Sequence, residues 1–245
     1  FTMNDTELKI GDNATVTLKF SEAVILFNSD DDITADNGTL STMTSTDNIT
    51  WTGYFTPTDD IEDNSSTLSL TDESYTDLAG NLGPDNQTAN YEIDTKEPTV
   101  SSVEITSATG KQNNFVNATD NVSVTATFSE VVNVNTASGT PTLTLVVGST
   151  DRTATYISGS GSDDLVFRYT IQSGDNDTNG ISIGANALDD NSSTIRDVAG
   201  NDATLTHSAV DNNSSYKVDT TAPSVDNFTM NDTELKIGDN ATVTL

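Results

Sequence analysis

Carboxylate and amide side chains that could bind a cation recur in a few short motifs of this sequence. In the second half of the chain the candidates are Glu130 of FSE, Asp197 and Asn201 of DVAGN, and Asp94 of DTKEP. Oxygen ligands brought together from separate loops are what Ca²⁺ takes in proteins. With no cysteine and one histidine in the chain, zinc and copper sites are poorly supported. The residue types therefore predict a calcium site, if the fold brings these loops together.

The charge balance also favours cations as partners. The chain has 38 acidic and nine basic residues, for a formal net charge of −29. Such a surface excludes a nucleic-acid backbone as a natural partner, and direct insertion of this segment into an anionic membrane. Acidic, polar chains can also be disordered. Here, however, the apolar residues follow a strict period, which indicates a folded protein.

Apolar and polar residues alternate in several short stretches, as they do in half-buried antiparallel strands. In NVSVTATF, for example, Val122, Val124 and Phe128 point to one face. The stretches ATVTLKF, ITWTGYF and DLVFRYTIQ show the same alternation. No segment has a helical stripe, so the sequence predicts an all-β fold.

An internal repeat predicts the domain organisation. Residues 228–245 repeat residues 1–18 without a change, a spacing of 227 residues from position 1 to position 228. We therefore expect a window on a longer tandem array, in which neither end of the sequence is a natural boundary. Two linkers, 94–98 and 219–223, divide it into module 1 (1–93), module 2 (99–218) and the start of the next copy of module 1 (224–245). Each module has room for about seven strands, as in a Greek-key sandwich.

The strand order predicts where the acidic loops lie. If consecutive strands run up and down, Glu130, Asp197 and Asn201 share one end of module 2 with the incoming linker residue Asp94. These four are expected to meet at the junction between the modules. If Asp36–Gly38 is a hairpin turn, the same parity gives module 1 a matching end, formed by Glu22, Asp77 and Asn81.

Further candidate ligands lie at the opposite ends of the modules and in the second linker. They are Asp175 and Asp177 of QSGDNDTNG, Asp59, Asp60 and Asp63 of TDDIEDNSS, and Asp219, which begins the second linker as Asp94 begins the first. Asp and Asn are also favoured in turns for backbone hydrogen bonding alone. A set of metal-free turns is therefore the alternative for every acidic loop.

The two modules are diverged copies of each other, because TLKFSEAV matches TATFSEVV and YTDLAGN matches IRDVAGN. Together with the D-T-x-x-P linkers and the QSGDNDTNG loop, these motifs make the whole chain resemble the bacterial immunoglobulin-like tandem repeats of giant secreted adhesins and other prokaryotic surface proteins. The resemblance implies Ig-like β-sandwich modules arranged end to end, outside the cell and at its surface. It also implies long stalks, often stiffened by calcium at the junctions.

A structural function is expected rather than an enzymatic one. His207 has no serine or cysteine pattern around it, and carboxylate pairs arise by chance in so acidic a chain. A near-perfect repeat also argues against a unique active site in each unit. The expected partners are neighbouring repeats of the same chain. The alternatives are a filament or surface-layer subunit that packs laterally against other copies, a weak multivalent binder of surface glycans, and an accessory module of a secreted hydrolase.

Fifteen Asn-x-Ser/Thr sequons occur in the chain, more than its composition gives by chance. This number fits a glycosylated surface protein. It equally fits turn-rich Asn-x-Thr sequence without glycans, so both interpretations stay open.

Overall fold

The computed structural model describes all 245 residues. Strands make up 47% of the chain and helix 2%, which confirms the predicted all-β class. The one helix, α1 (Ser29–Asp32), is a single turn capped by the side chain of Asn28. No helix is long and apolar enough to cross a membrane.

Module 1 is built from short strands. In chain order they are β1 (Thr2–Met3), β2 (Glu7–Lys9), β3 (Ala14–Lys19), β4 (Val24–Ile25), β5 (Ile33–Ala35), β6 (Gly38–Leu40), β7 (Thr50–Pro57), β8 (Glu62–Ser66), β9 (Leu68–Leu70), β10 (Thr76–Asp77), β11 (Asn86–Gln87) and β12 (Tyr91–Asp94). The sheets have the orders β1-β3-β7-β6, β11-β9-β5 and β2-β12-β8, and β4 pairs with β10. β2 and β12 run parallel, so the last residue of β12, Asp94, lies beside Lys9.

Module 2 has longer strands. They are β13 (Val100–Ala108), β14 (Phe115–Val116), β15 (Asn121–Asn135), β16 (Thr142–Val147), β17 (Thr150–Ser158), β18 (Ser162–Thr170), β19 (Asn176–Asp177), β20 (Leu188–Asp189), β21 (Thr194–Arg196) and β22 (Lys217–Asp219). The main sheet has the order β13-β15-β18-β17-β16-β20, with β21 on the far end of β15, and a smaller sheet has the order β14-β22-β19. The β15–β18 ladder is irregular between Thr127 and Val132, which frees Glu130 from regular pairing.

Each module has its own hydrophobic core. Thirteen buried residues between Leu8 and Ile93 form one cluster, and 21 between Val103 and Val218 form the other. The predicted alternation is confirmed in β15, where Val122, Val124 and Phe128 are buried between half-buried polar neighbours. Burial of these apolar faces supplies most of the stability of such a sheet.

The expected hairpin at Asp36–Gly38 is wrong. The chain does turn there, with Asn37 at φ 55°, but β5 pairs with β9 and β6 pairs with β7. The turn therefore passes the chain from one sheet to the other. Only glycine fits at position 38, because a Cβ there would clash with the Phe55 ring.

The repeated segment at 228–245 keeps the local structure of its original. Two further strands, β23 (Thr229–Met230) and β24 (Val243–Thr244), pair as Thr229 with Thr244 and Met230 with Val243. This register matches that of β1 with β3, where Thr2 faces Thr17 and Met3 faces Val16. The hairpin is thus encoded within 18 residues, although its apolar side chains are exposed there.

The separate cores predict separate unfolding. Phe55→Ala removes a fully buried ring that packs edge-on against Tyr91 at 5.1 Å between centroids. We expect a loss of about 3–5 kcal/mol in the free energy of unfolding of module 1 and no change in module 2, measured by urea denaturation. Tyr54→Ala is the matched control, since Tyr54 is 63% exposed and its removal should change stability by about 0.5 kcal/mol or less. An equal loss in both modules would contradict independent cores.

Candidate metal centre

The DVAGN loop at the base of module 2 is held closed by one carboxylate. Asp197 Oδ1 accepts the backbone N–H groups of Gly200 at 2.6 Å and Asn201 at 2.8 Å. The Asn201 amide donates to the other oxygen, Oδ2, at 2.8 Å. Gly200 has φ 101°, a left-handed conformation that glycine adopts without strain. The local sequence thus fixes the position of the Asp197 side chain.

Asn201 also joins module 2 to module 1. Its Nδ2 donates a second hydrogen bond, to the backbone carbonyl of Asp94 at 2.8 Å, and its Oδ1 accepts the N–H of Ile10 at 2.9 Å. The side chain is 3% exposed. Both amide protons and the carbonyl oxygen are therefore used, across three segments of chain. We assign Asn201 a positioning role rather than a ligand role for this reason.

Three carboxylates meet beside this amide. Ligand oxygens of Asp94, Glu130 and Asp197 all lie within 4.8 Å of one another. Asp197 is buried and the other two are half-buried. Asp94 belongs to the end of β12, Glu130 to the irregular part of β15, and Asp197 to the loop after β21. The structure thus brings together these three predicted residues.

The electrostatics of the cluster are unfavourable without a counter-charge. Burial raises the pKa of Glu130, and repulsion from Asp94, Asp197 and Glu62 raises it further. Burial likewise raises the pKa of Asp94, although the N–H of Lys96 opposes the rise. The Lys96 ammonium lies 4.0 Å from Glu62 and is largely exposed. Such a cluster can bind a proton or a hard cation.

The raised pKa of Glu130 gives a titration test. The folded state binds this proton more tightly than the unfolded state does. The junction therefore gains stability as the pH falls through the raised pKa of the folded state. The gain is complete below the pKa of the unfolded state, near 4.5. We expect the Glu130 carboxyl, followed by NMR in chelator, to titrate above 4.5. Asp197→Asn should lower the midpoint, whereas Asp202→Asn, at an exposed site in the same loop, should leave it in place. A midpoint at or below the ordinary value would contradict the crowding.

At the free end of module 1, Asp77 and Asn81 form the same loop. Asp77 Oδ1 accepts the N–H groups of Ala79 at 2.8 Å and Asn81 at 2.9 Å, and Asn81 Nδ2 donates to Oδ2 at 2.6 Å. Hydrogen bonds from the side chain and backbone of Asn81 hold the pKa of Asp77 below its usual value. Glu22 and Asp85 line the same pocket, but these carboxylates do not form a cluster of three like that at the junction. This end has the parts of the junction without a covering module.

Asp175 is committed to protein donors. It accepts from Arg152 Nε at 2.7 Å, from the Tyr169 hydroxyl at 2.6 Å and from the N–H of Gln172 at 2.9 Å. Burial alone would raise the pKa of Asp175, but the hydrogen bonds from Tyr169, Gln172 and Arg152 outweigh burial and lower it. Asp175 is poorly placed to bind a metal ion, because the Arg152 guanidinium already occupies the position that a cation would take.

The remaining predicted ligands also serve turns and loop closure. Asp177 accepts the N–H groups of Gly148 and Gly180, both at 2.7 Å. Asp63 accepts from Ser65 and from the Asn37 amide, and Asp219 accepts from the N–H of Thr221. Asp59 and Asp60 are exposed. None of these five joins a cluster of three carboxylates.

Sequence reasoning missed two contributors to these sites. The backbone N–H of Ile10 holds Asn201, and the carboxylate of Glu62 adds repulsion at the junction. A backbone donor leaves no signal in residue type. Glu62 lies in the acidic run TDDIEDNSS, where nothing distinguishes it from its neighbours.

The buried Asp175 pair predicts a large stability effect. Asp175 forms an ion pair with Arg152, and its side chain is 1% exposed. The chemically similar Arg196–Asp202 pair is open to solvent. Asp175→Ala leaves Arg152 and Tyr169 without their acceptor, so we expect a loss of about 3–5 kcal/mol, measured by urea denaturation of module 2. Asp202→Ala, the matched control, should cost about 1 kcal/mol or less. Equal effects of the two substitutions would contradict a structural role for the buried pair.

The sequon asparagines lie mostly at the surface. Twelve of the fifteen are exposed, and Asn37, Asn121 and Asn213 are half-buried. The Asn37 amide nitrogen donates to Asp63 and Ser66, so its hydrogens are already used. Surface access thus leaves glycosylation open at most sequons.

Comparison with known proteins supports the resemblance stated above. The model of the bacterial Ig-like domain family matches residues 1–93, the range of module 1. No curated protein and no solved structure matches the chain. Domains of this family are typically non-catalytic and are commonly found at the cell surface, as structural repeats. Module 1, with its β-sandwich sheets and the closed D-x-A-G-N loop, is thus similar to bacterial Ig-like domains over residues 1–93.

Proposed function

We propose that this chain is a structural extracellular segment, a stalk or spacer of a large cell-surface adhesin, and that Ca²⁺ stiffens its inter-module junctions. The observation that carries the proposal is the meeting of Asp94, Glu130 and Asp197 at one point between the two modules. Asp94 comes from module 1 and its linker, while the other two come from module 2. A single ion bound there would tie the modules together.

The donor set fits calcium. All three ligands are carboxylates, and Ca²⁺ binds oxygen at about 2.3–2.6 Å. Two oxygens on opposite sides of such an ion are separated by about twice that distance, so three oxygens within 4.8 Å of one another can share one ion. The site lacks the nitrogen and sulfur ligands that select zinc or copper.

Stiffening follows from the chain segments involved. Bending at the linker would move Asp94 away from Glu130 and Asp197, and would stretch the hydrogen bonds of Asn201 to both modules. With a cation bound, bending also costs ligand bonds. Without one, the repulsion that raises the pKa values of Asp94 and Glu130 favours separation. The junction is therefore rigid when loaded and looser in chelator.

The experiment compares the chain in millimolar Ca²⁺ and in chelator. At ten to a hundred times a dissociation constant typical of extracellular modules, a bound ion stabilises the folded state by about 1.5–3 kcal/mol. We expect a higher melting temperature, and a longer, narrower distance distribution in small-angle scattering. Glu130→Gln with Asp197→Asn should abolish both responses.

The matched control is Glu22→Gln with Asp77→Asn. It changes the same motifs at the free end of module 1, where the carboxylates do not form a cluster of three, so the calcium response should persist. Identical melting and scattering in both conditions for the unaltered chain would overturn the proposal. An elongation seen only at concentrations where chains associate would instead support the filament alternative.

A further inference from the structure

The outer end of module 2 has the same backbone framework as the end of module 1 that forms the junction. Residues 7–22 and 115–130 correspond at a constant offset, so that FSE at 20–22 aligns with FSE at 128–130. β14 pairs in parallel with β22 as β2 does with β12. The following turn is also shared, since Lys9 N–H donates to Asp12 and Asn117 N–H donates to Asp120. Ala118 therefore corresponds to Ile10, and Asp219 corresponds to Asp94.

The corresponding backbone donor at this end has no partner within the protein. Ile10 N–H donates to Asn201 Oδ1 across the junction, but Ala118 N–H donates to no group of the protein. Ala118 is half-buried and lies between β14 and β15, outside any strand ladder. The equivalent N–H of Ile10 has its protein partner across the internal junction, so Ala118 N–H is available for the same kind of contact.

The matching acceptor is at the free end of module 1. Asn81 occupies in its loop the place of Asn201, with the same bonds to its aspartate. Asn201 is buried because module 1 covers it, whereas Asn81 is exposed. The Oδ1 of Asn81 accepts no hydrogen bond, and its Nδ2 donates only to Asp77. One donor at Ala118 and one acceptor at Asn81 are thus both free, in the positions that are joined at the internal junction.

We infer that the Ala118–Asp219 end of module 2 is a docking surface for the free end of the next copy of module 1. In this interface, Asn81 of that copy accepts from the Ala118 N–H and donates to the Asp219 carbonyl. The sequence suggests the occupant, since residues 228–245, which follow the second linker, repeat residues 1–18 of module 1. The inference rests on the proposed function, because it extends the same stacking to the second junction of the array.

Charge distinguishes the two junctions. At the internal junction Glu7, Glu92 and Val198 line one groove, and Glu62 pairs with Asp94 in the ladder. Their counterparts at the outer end are Phe115 for Glu7, Lys217 for Glu92 and Asn176 for Glu62.

Apolar side chains lie on both sides of the proposed outer junction, although Val198, which corresponds to Leu78, remains 81% exposed at the internal junction. Leu78, the counterpart of Val198, is 75% exposed. Phe115 is also partly exposed, with the Lys217 ammonium 5.4 Å from its ring centroid. The outer surface thus has apolar and basic side chains where the internal one is acidic. Asp219, Glu22 and Asp77 correspond to Asp94, Glu130 and Asp197, so docking brings three carboxylates together here as well, and a cation offsets their repulsion at both junctions.

The test follows the Ala118 amide by hydrogen exchange in millimolar Ca²⁺, so that both junctions are measured with a cation available. The 245-residue chain is compared with the same chain extended after Leu245 by a second copy of residues 19–98, which completes one more module 1. We expect Ala118 to exchange about tenfold more slowly in the extended chain, the ratio expected of one added hydrogen bond. Ile10 of the first module 1 should be protected in both. Equal Ala118 rates in the two chains would overturn the inference.

Substitutions identify the partner. Asn81→Ala in the added copy should remove the protection of Ala118 and leave that of Ile10, while Asn201→Ala should do the reverse. Asn81→Ala in the first copy serves as the folding control, since it should change neither rate. Protection of Ala118 that survives Asn81→Ala in the added copy would also overturn the inference. A calcium-dependent melting temperature with an unprotected Ala118 would refute this docking alone, whereas failure of both would also refute the proposed function.

Discussion

The junction depends on one buried amide. Asn201 binds Asp197 within its own loop, the carbonyl of Asp94 in the linker and the N–H of Ile10 in module 1. These hydrogen bonds hold three segments of chain within a few ångströms. The carboxylates of Asp94 and Glu130 are brought together as a consequence, although their charges repel. A neutral group that satisfies all its hydrogen bonds thus imposes the crowding that makes the site attractive to a cation.

The pKa values of Asp175 and Asp94 are shifted in opposite directions, and the number of nearby hydrogen-bond donors decides the direction. Asp175 is surrounded by a guanidinium, a hydroxyl and a backbone N–H, and its pKa falls below its usual value. Asp94 has one backbone donor and several carboxylate neighbours, and its pKa rises. The first arrangement stabilises module 2 as it stands. The second leaves negative charge uncompensated between the modules, which is the physical basis of the calcium proposal.

The two modules show how a repeated framework is adapted at its ends. The turn after β2 and the turn after β14 close with the same hydrogen bond, and the two D-x-A-G-N loops close with the same pair of side chains. The residues around them differ, with acidic side chains at one end and Phe115 and Lys217 at the other. Backbone geometry is therefore conserved between the copies, while side-chain charge separates the two kinds of junction.

The alternation of apolar and polar residues, together with the linkers and the paired motifs, was sufficient to predict an all-β chain of two modules. The meeting of Asp94, Glu130 and Asp197 was also predictable, because the up-and-down order of the strands places each loop at one end of a module or the other. Local hydrogen bonding also depends on nearby sequence alone, because the β23–β24 hairpin has the same register as β1–β3 without a hydrophobic core around it. Only the tertiary structure decided that Asp36–Gly38 crosses between sheets, that Arg152 neutralises Asp175 and that Asn201 bridges the modules. These outcomes depend on packing around Phe55 and on which donors lie within about 3 Å of an oxygen. Distances between segments that are remote in the sequence cannot be predicted from any short stretch of it.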